Sequence, residues 1–297
     1  MDASPARPGP GRVVVGVDGS PSARTAVVWA AEEAALRGGA LCLVHAAGTD
    51  TTGPLLSQAE IAGSLRAGRD LLDRTAEAVT ARHPELTVVK ELTDGSPPDG
   101  LRRAAALTGT IVVGHRGLGG FSSLLLGSVG LEVAAGATTP VVVVRGAAEP
   151  GVVLAAVRDE NDAGCARAAA HEALLRKVPL RLVHVWGTGL SAGPRVAPRG
   201  RAEESARDHV CALTCVSDRI HDEFPELAVH AEGQKSRGVP GALVDASRHA
   251  ALLVVGGRRA PGYLGPTIGR TTLSLLQHAH CPVELIPRHG PGHGSTS

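Results

Sequence analysis

The sequence predicts an α/β protein built from two tandem doubly wound domains, each a five-stranded parallel sheet with helices on both faces. The first observation is that short, valine-rich apolar runs alternate with longer segments whose apolar residues recur at helical spacing. Such continuous runs are typical of parallel strands that helices cover on both faces. The second observation is an internal repeat of roughly 140 residues, which is the length of a whole domain.

The elements of the first domain follow one another in a regular order. Strands are predicted at the apolar runs 13–17, 41–46, 86–92, 110–113 and 141–144. Helices are predicted between them at 23–37, 59–83 and 98–107, with a further helix after Gly127. Because a doubly wound sheet binds its ligand at the carboxyl edge of its strands, the loops that follow the strands are the candidate binding segments.

The second half of the chain repeats the first. Arg12–Gly16 resembles Gly151–Ala155, and Glu33–Arg37 resembles Glu172–Arg176 at the same offset. Glu149–Gly151 marks the joint, because its proline and glycine break both helix and strand. We therefore predict a disordered tail at 1–11, a first domain at 12–146, a second domain at 151–287 and a disordered tail at 288–297.

Composition and charge argue against several classes of protein. The net charge of +1 gives no reason to expect nucleic acid or an anionic membrane as a partner. No apolar run is long enough to span a bilayer, and Met1–Arg7 lacks the apolar core of a signal peptide. The five cysteines are too few and too scattered for a disulfide framework. We expect a cytoplasmic protein, and the abundance of arginine, alanine and glycine indicates a bacterial source.

The most specific motif is a glycine-rich loop between a predicted strand and a predicted helix. Gly114 and Gly117 follow the strand at 110–113, and Gly127 and Ser128 open the helix. Glycine lets the backbone approach a ligand closely, and Gly127 is expected to need a backbone conformation that other residues resist. The free amides of the first helical turn, with the Ser128 hydroxyl, offer hydrogen-bond donors to an anion. The pattern predicts a phosphate cradle.

This spacing resembles the nucleotide signature G-x2-G-x9-G-S/T of the universal stress protein family. The resemblance implies the strand order 3-2-1-4-5, which places the ends of the first and fourth strands side by side. It also implies ATP as the ligand, with Mg2+ as the companion ion. The residues that it assigns to the nucleotide are Gly16, Val17, Asp18, His45, Ala46, Gly114, Arg116, Gly117, Gly127, Ser128 and Val129.

Two of these residues have ordinary structural alternatives. Asp18 lies in the run Asp-Gly-Ser-Pro-Ser, which suits a helix cap or a turn carboxylate. Arg116 could contact phosphate oxygens, or it could be a solvent-exposed loop arginine. The glycine loop on the same sheet edge favours ligand contact for Asp18.

The second domain departs from the signature. Val157 aligns with Asp18, Arg259 replaces the second glycine, and Arg270 replaces the hydroxyl residue, while Gly256 and Gly269 are kept. Arginines could attract an anion, but we expect a degenerate domain that is kept for pairing and stability.

Pairing between the domains is implied by the family, in which the last strand is an edge used for dimerisation. An exposed apolar edge strand is a hazard unless it is covered. We expect Val141–Val144 and Val283–Ile286 to face each other within the chain as an intramolecular pseudo-dimer. A homodimer of the whole chain is a further partner that the family allows.

The expected function is that of an ATP-binding stress-response sensor or regulator that acts through nucleotide-dependent conformation. Little or no hydrolysis is expected, because no residue set supplies a nucleophile, a base and an oxyanion site. One alternative is a nucleotide-free scaffold that acts by protein contacts. Another is an adenylyl-transferring enzyme of the PP-loop type, which needs S-G-G-x-D-S after the first strand, and Gly16–Pro21 does not provide it.

Overall fold

The structure is a computed structural model that describes residues 11–48, 57–106, 109–117, 126–146, 151–187, 199–257 and 268–287, with the backbone alone at 199–206. The chain divides into two compact units between Val144 and Arg145. The two predicted tails lie outside the described residues, apart from Gly11.

Five parallel strands form the sheet of the first unit in the part of the chain that the structure describes. They are β1 (Val13–Gly16), β2 (Leu41–Ala46), β3 (Val88–Thr93), β4 (Thr110–Gly114) and β5 (Val141–Val144). Their order is β3-β2-β1-β4-β5, which confirms the predicted order. Because the chain passes from β1 to β2 on one side and returns to β4 on the other, the carboxyl ends of β1 and β4 form the switch point of the sheet.

The described helices of the first unit begin at defined caps. They are α1 (Pro21–Leu36), α2 (Gln58–Arg82), α3 (Pro97–Ala105) and α4 (Ser128–Ala135). The hydroxyls of Ser20, Ser57 and Ser96 each accept a hydrogen bond from the backbone three residues later. Because these serines end the preceding loops, the first three helices begin one or two residues earlier than predicted.

The strands of the first unit are covered on both faces. Val13, Val14 and Val15 point alternately to opposite faces of the sheet, and all three are fully buried. Helix α1 contributes small side chains that let it lie close to the sheet. The buried alanines of this helix are Ala23, Ala26, Ala30, Ala31 and Ala34. This burial confirms the predicted helical layers on both faces.

The second unit has the same topology. Its described strands are β6 (Val152–Ala156), β7 (Leu180–Gly187), β8 (Val229–Ser236), β9 (Ala250–Gly256) and β10 (Val283–Ile286), and its described helices are α5 (Ala163–Arg176), α6 (Arg199–Glu223), α7 (Val239–Ala246) and α8 (Arg270–His278). The strands are parallel in the order β8-β7-β6-β9-β10, which is again 3-2-1-4-5 when counted within the unit. The prediction of two tandem domains of one fold is confirmed. None of the helices among the described residues combines the length and the hydropathy needed to cross a membrane.

Candidate functional site

The turn after β1 is held by the Asp18 side chain. Asp18 is half-buried, and its Oδ1 accepts a hydrogen bond from the Ser20 N–H at 2.8 Å. Gly19 between them has a φ of +82°, which glycine adopts without strain. The helix cap is Ser20, whose Oγ accepts from the Ala23 N–H at 3.1 Å. One oxygen of Asp18 is therefore committed to the turn, as the Asp-Gly-Ser-Pro-Ser pattern allows.

The second carboxylate oxygen of Asp18 lies against the glycine loop that follows β4. A Cβ added at Gly117 would stand 2.7 Å from Asp18 Oδ2, closer than real Cβ atoms come to other heavy atoms. A residue with a Cβ at position 117 would therefore have to displace this carboxylate. The structure brings the ends of β1 and β4 together at this point, as the predicted strand order requires.

Gly114, the last residue of β4, is needed for packing. A Cβ at this position would lie 2.5 Å from Ser22 Oγ and 2.7 Å from the Ser22 carbonyl oxygen. The same hydroxyl accepts a hydrogen bond from the Arg116 N–H at 3.2 Å. The first turn of α1 therefore rests on the loop, and Gly114 makes room for it. The ligand contact that the sequence predicts for Gly114 stays a prediction beside this packing role.

Gly127 closes the loop with its backbone. Its N–H donates to the His115 carbonyl at 2.8 Å, so this amide serves the loop. Its φ of −67° and ψ of 156° are ordinary, and the expectation that Gly127 needs an unusual backbone conformation is wrong. A Cβ here would lie 3.6 Å from Arg116 Cα and 3.7 Å from the Gly117 nitrogen. The missing side chain keeps the surface beside the Gly117 amide open.

The first turn of α4 supplies the donors of the site. Ser128 is exposed and is the first residue of the helix, followed by Val129 and Gly130. The amides of a first helical turn have no carbonyl partner within the helix, and the helix dipole makes them attractive to an anion. Gly127 offers no capping side chain, and the first turn contains no acidic residue. This end of α4 is therefore suited to a phosphate group.

His45 ties the end of β2 to the end of β1. Its Nδ1–H donates to the Val17 carbonyl at 2.6 Å, because a carbonyl can only accept. The ring lies against α2, where a Cβ on Gly68 would stand 2.8 Å from His45 Cδ2. The Val17 N–H donates in turn to the Val44 carbonyl at 2.8 Å. His45 and Val17 thus form a fixed wall of the site.

The remaining predicted residues lie around this cradle. Gly16 ends β1, and a Cβ there would make only an ordinary contact of 3.5 Å with Leu101. Ala46 is half-buried at the end of β2, two residues beyond the pairing of β2 with β1. Val129 is half-buried, and the Arg116 side chain is exposed. The site is therefore a backbone cradle with one carboxylate inside it and one arginine at its rim.

The sequence did not predict the structural roles of three residues of the site. Ser20 caps α1, and its position before a proline is a local signal for a cap. Ser22 and His115 are in contact across the loop at 3.1 Å, although 93 residues separate them in the chain. No local sequence pattern predicts a contact between residues so far apart in the chain.

The contact between Ser22 and His115 joins the first turn of α1 to the loop after β4. His115 Nδ1 is also 3.3 Å from the Val144 carbonyl oxygen. The same ring nitrogen thus faces a hydroxyl and a carbonyl, and its role as donor or acceptor depends on the tautomer. The Ser22 Oγ accepts the Arg116 N–H with either tautomer, so this hydroxyl has a structural role in the loop.

The equivalent edge of the second unit carries an inverted charge. The His184 Nδ1–H donates to the Val157 carbonyl at 2.7 Å, which matches the bond from His45 to Val17. Val157 thus occupies the position of Val17, and Arg158 occupies that of Asp18. The predicted alignment of Val157 with Asp18 is wrong by one residue. The register of β6 on β7 places the end of β6 one residue further along the chain than the repeat offset predicts from β1 and β2.

The loop of the second unit keeps part of the pattern. Gly256 ends β9 as Gly114 ends β4, and Gly269 is the N-cap of α8. Arg270 is exposed and is the first residue of α8, where the first unit has Ser128. Arg259 lies outside the described residues.

Comparison with protein families gives one match that covers nearly the whole chain. The model of the universal stress protein family matches twice, at residues 10–145 and 151–287.

Individual relatives agree with this match. A universal stress protein of Mycobacterium tuberculosis is 29% identical over 291 residues, covering 91% of this chain and 94% of the relative. A universal stress protein of Mycolicibacterium smegmatis is 36% identical over 137 residues, covering 45% of each chain. Among solved structures, a universal stress protein from Archaeoglobus fulgidus has a TM-score of 0.68 at 16% identity and covers 95% of this chain and 97% of its own, which shows a shared fold.

Proposed function

Because this chain belongs to the universal stress protein family, we propose that its first unit binds ATP with Mg2+ and that the chain acts as a stress-response sensor or regulator. The observation that carries the proposal is the close approach of Asp18 to Gly117, where an added Cβ would stand 2.7 Å from the carboxylate. At Gly117 and Gly127 the described part of the loop presents backbone without a side chain. A site of this form suits a phosphate chain that lies on the backbone and is bridged to a carboxylate.

The phosphates would be held by the first turn of α4. The amides at Ser128, Val129 and Gly130 and the Ser128 hydroxyl are the donors on this side of the loop. Arg116 at the rim adds a positive charge. Because this side chain is exposed, its charge carries no desolvation penalty. The Gly127 amide takes no part, since it donates to His115.

The Asp18 carboxylate favours a divalent cation in the complex. A carboxylate beside polyphosphate is repulsive unless a cation lies between them, and Mg2+ typically uses one or two carboxylates together with phosphate oxygens and water. Among the described residues no group of three or more His, Cys, Asp and Glu side chains could hold a metal ion by itself. Asp18 and the phosphates together would therefore hold the ion, which neutralises part of the phosphate charge.

The nucleoside would lie along the ends of β1 and β2. Gly16 has room beside it, and Ala46 presents a small side chain at the end of β2. Val17 is 6% exposed, and its N–H is bonded to Val44, so Val17 contributes a wall and no free donor. Recognition of the base would then depend on shape and on the backbone at Gly16 and Ala46.

Binding with little or no hydrolysis is proposed, because the sequence offers no set of residues that supplies a nucleophile, a base and an oxyanion site together. A bound nucleotide would instead fix the loops after β1 and β4 in one arrangement, which is a change that another protein could recognise. The pairing of the edge strands β5 and β10 and the formation of a homodimer stay predictions.

Native mass spectrometry of the whole chain with MgATP tests the proposal. We expect a complex with one nucleotide, which Asp18→Ala weakens only when Mg2+ is present and which Arg116→Ala weakens in either condition. Arg82→Ala is the matched control, because this exposed arginine is the last residue of α2 and lies before the amino end of β3, at the opposite edge of the sheet. The absence of any adenine nucleotide complex would contradict the proposal and favour the scaffold alternative.

A further inference from the structure

A cavity lies in the second unit, at the place that corresponds to the cradle of the first unit. It has a volume of about 330 Å³ and lies at the carboxyl ends of β6, β7 and β9, between α7 and α8. This volume is at the lower end of the range for small-molecule sites.

The walls of the cavity are mainly aliphatic. They include Val157, Val183, Val185, Val239, Leu243 and Leu275. Of these, Leu243 and Leu275 are buried, and Val185 and Val239 are half-buried, so the cavity reaches from the core to the surface. No aspartate or glutamate is among the described residues that line it. A surface of this composition favours an apolar body over a nucleotide, whose phosphates and ribose need polar partners.

In the second unit an arginine replaces the carboxylate of Asp18, and this arginine is paired with an aspartate. Arg158 takes the position of Asp18, and its Nε and Nη2 lie 3.2 and 3.3 Å from the carboxylate of Asp162. Asp162 is 1% exposed and also accepts from the Arg158 N–H at 2.8 Å. The pair is built into the turn after β6, and it leaves no carboxylate to hold Mg2+ at the cavity.

The polar end of the cavity is the start of α8. Arg270, Thr271 and Thr272 line it, and Gly269 provides no capping side chain. The amides of this turn attract negative charge, and Arg270 adds a full positive charge at the exposed rim. The cavity is thus lined by a cationic, hydrogen-bonding helix start and by aliphatic side chains.

We propose that this cavity binds a small carboxylate with an apolar chain. The chain would lie among the valines and leucines, and the single carboxylate would lie at the first turn of α8 beside Arg270. A liquid water occupies about 30 Å³, so the volume accommodates roughly ten non-hydrogen atoms, the size of octanoate. The second unit would then sense a different class of metabolite from the first.

Calorimetric titration of the whole chain with octanoate tests this proposal, with 1-octanol as the uncharged probe of the same length. We expect one octanoate site per chain and weaker binding of 1-octanol. Arg270→Glu should weaken octanoate binding by at least about tenfold, with little effect on 1-octanol. Arg237→Glu is the matched control, because it makes the same charge change at an exposed position that does not line the cavity.

A filling variant, Val239→Trp, should abolish binding of both probes, because it places a large ring at the half-buried rim of the cavity. An unchanged thermal unfolding transition of this variant shows that the loss is not a loss of folding. No octanoate binding by the wild-type chain would overturn the proposal, and so would equal affinity in the wild type and Arg270→Glu. Neither result bears on ATP binding by the first unit.

Discussion

Replacing Gly117 with alanine tests the cradle at its tightest point. The added Cβ would stand 2.7 Å from Asp18 Oδ2, whereas ordinary contacts begin at 3.4 Å, so the carboxylate must move by about 0.7 Å. Asp18 cannot move freely, because its Oδ1 accepts the Ser20 N–H at 2.8 Å. The substitution therefore strains the turn after β1 and displaces the carboxylate proposed to hold Mg2+.

The size of the effect follows from these contacts. A hydrogen bond to a charged group contributes roughly 1.5–3 kcal/mol, and solvent offsets part of this because Asp18 is only half-buried. We expect the free energy of unfolding of the first unit to fall by about 1 kcal/mol. The affinity for MgATP should fall further, by at least about tenfold, which equals about 1.4 kcal/mol.

Isothermal titration with MgATP and thermal unfolding measure the two effects separately. Gly63→Ala in α2 is the control, because a Cβ there meets nothing within 4 Å. It should leave the ATP affinity unchanged and raise the free energy of unfolding by about 0.5–1 kcal/mol. Gly127→Ala should leave stability nearly unchanged, since its nearest contact would be 3.6 Å, but should weaken MgATP binding. Wild-type ATP affinity in Gly117→Ala would refute the reasoning.

Three further outcomes are expected. Ser128→Ala should weaken MgATP binding by roughly tenfold to a hundredfold in the same titration, because it removes one donor to a charged acceptor. Burial, followed by the charge of Arg167, lowers the pKa of His171 from its ordinary 6.5. As pH falls, the unfolded chain therefore protonates this histidine before the folded chain does. The free energy of unfolding should fall as pH drops below about 6.5 and should level off below the pKa of the folded state. Urea unfolding at several pH values should show that His171→Gln flattens this dependence. Burial raises the pKa of Cys42 to about 11, so a thiol reagent at pH 8 should label the exposed Cys211 rapidly and leave Cys42 unlabelled in the native protein, as peptide mapping would show.

Sequence reasoning reached the fold because the strands are short apolar runs with helices between them. The bounds of β2 and β5 agree with the predicted 41–46 and 141–144. The start of β3 does not, since the Leu86 N–H donates to the His83 carbonyl in the turn after α2, and the strand begins at Val88. Local periodicity identifies an element well, but its ends depend on individual hydrogen bonds.

The site was less predictable, because its geometry depends on contacts between distant segments. The spacing of Gly114, Gly117 and Gly127 predicts a loop, but it cannot separate their roles. Gly114 makes room for Ser22, Gly117 makes room for Asp18, and Gly127 closes the loop through its amide. The one-residue error at Val157 has the same origin, because only the pairing of β6 with β7 shows where the strand ends.

The number of ATP molecules bound per chain tests the central claim most directly. The first unit has the Asp18 carboxylate, the glycines of the loop after β4 and the uncapped first turn of α4, whereas the second unit has Arg158 in place of Asp18 and an aliphatic cavity. Equilibrium dialysis of the wild-type chain with MgATP should give one site per chain, and Gly117→Val should remove it. Two equivalent sites, or one site that persists in Gly117→Val, would contradict the account.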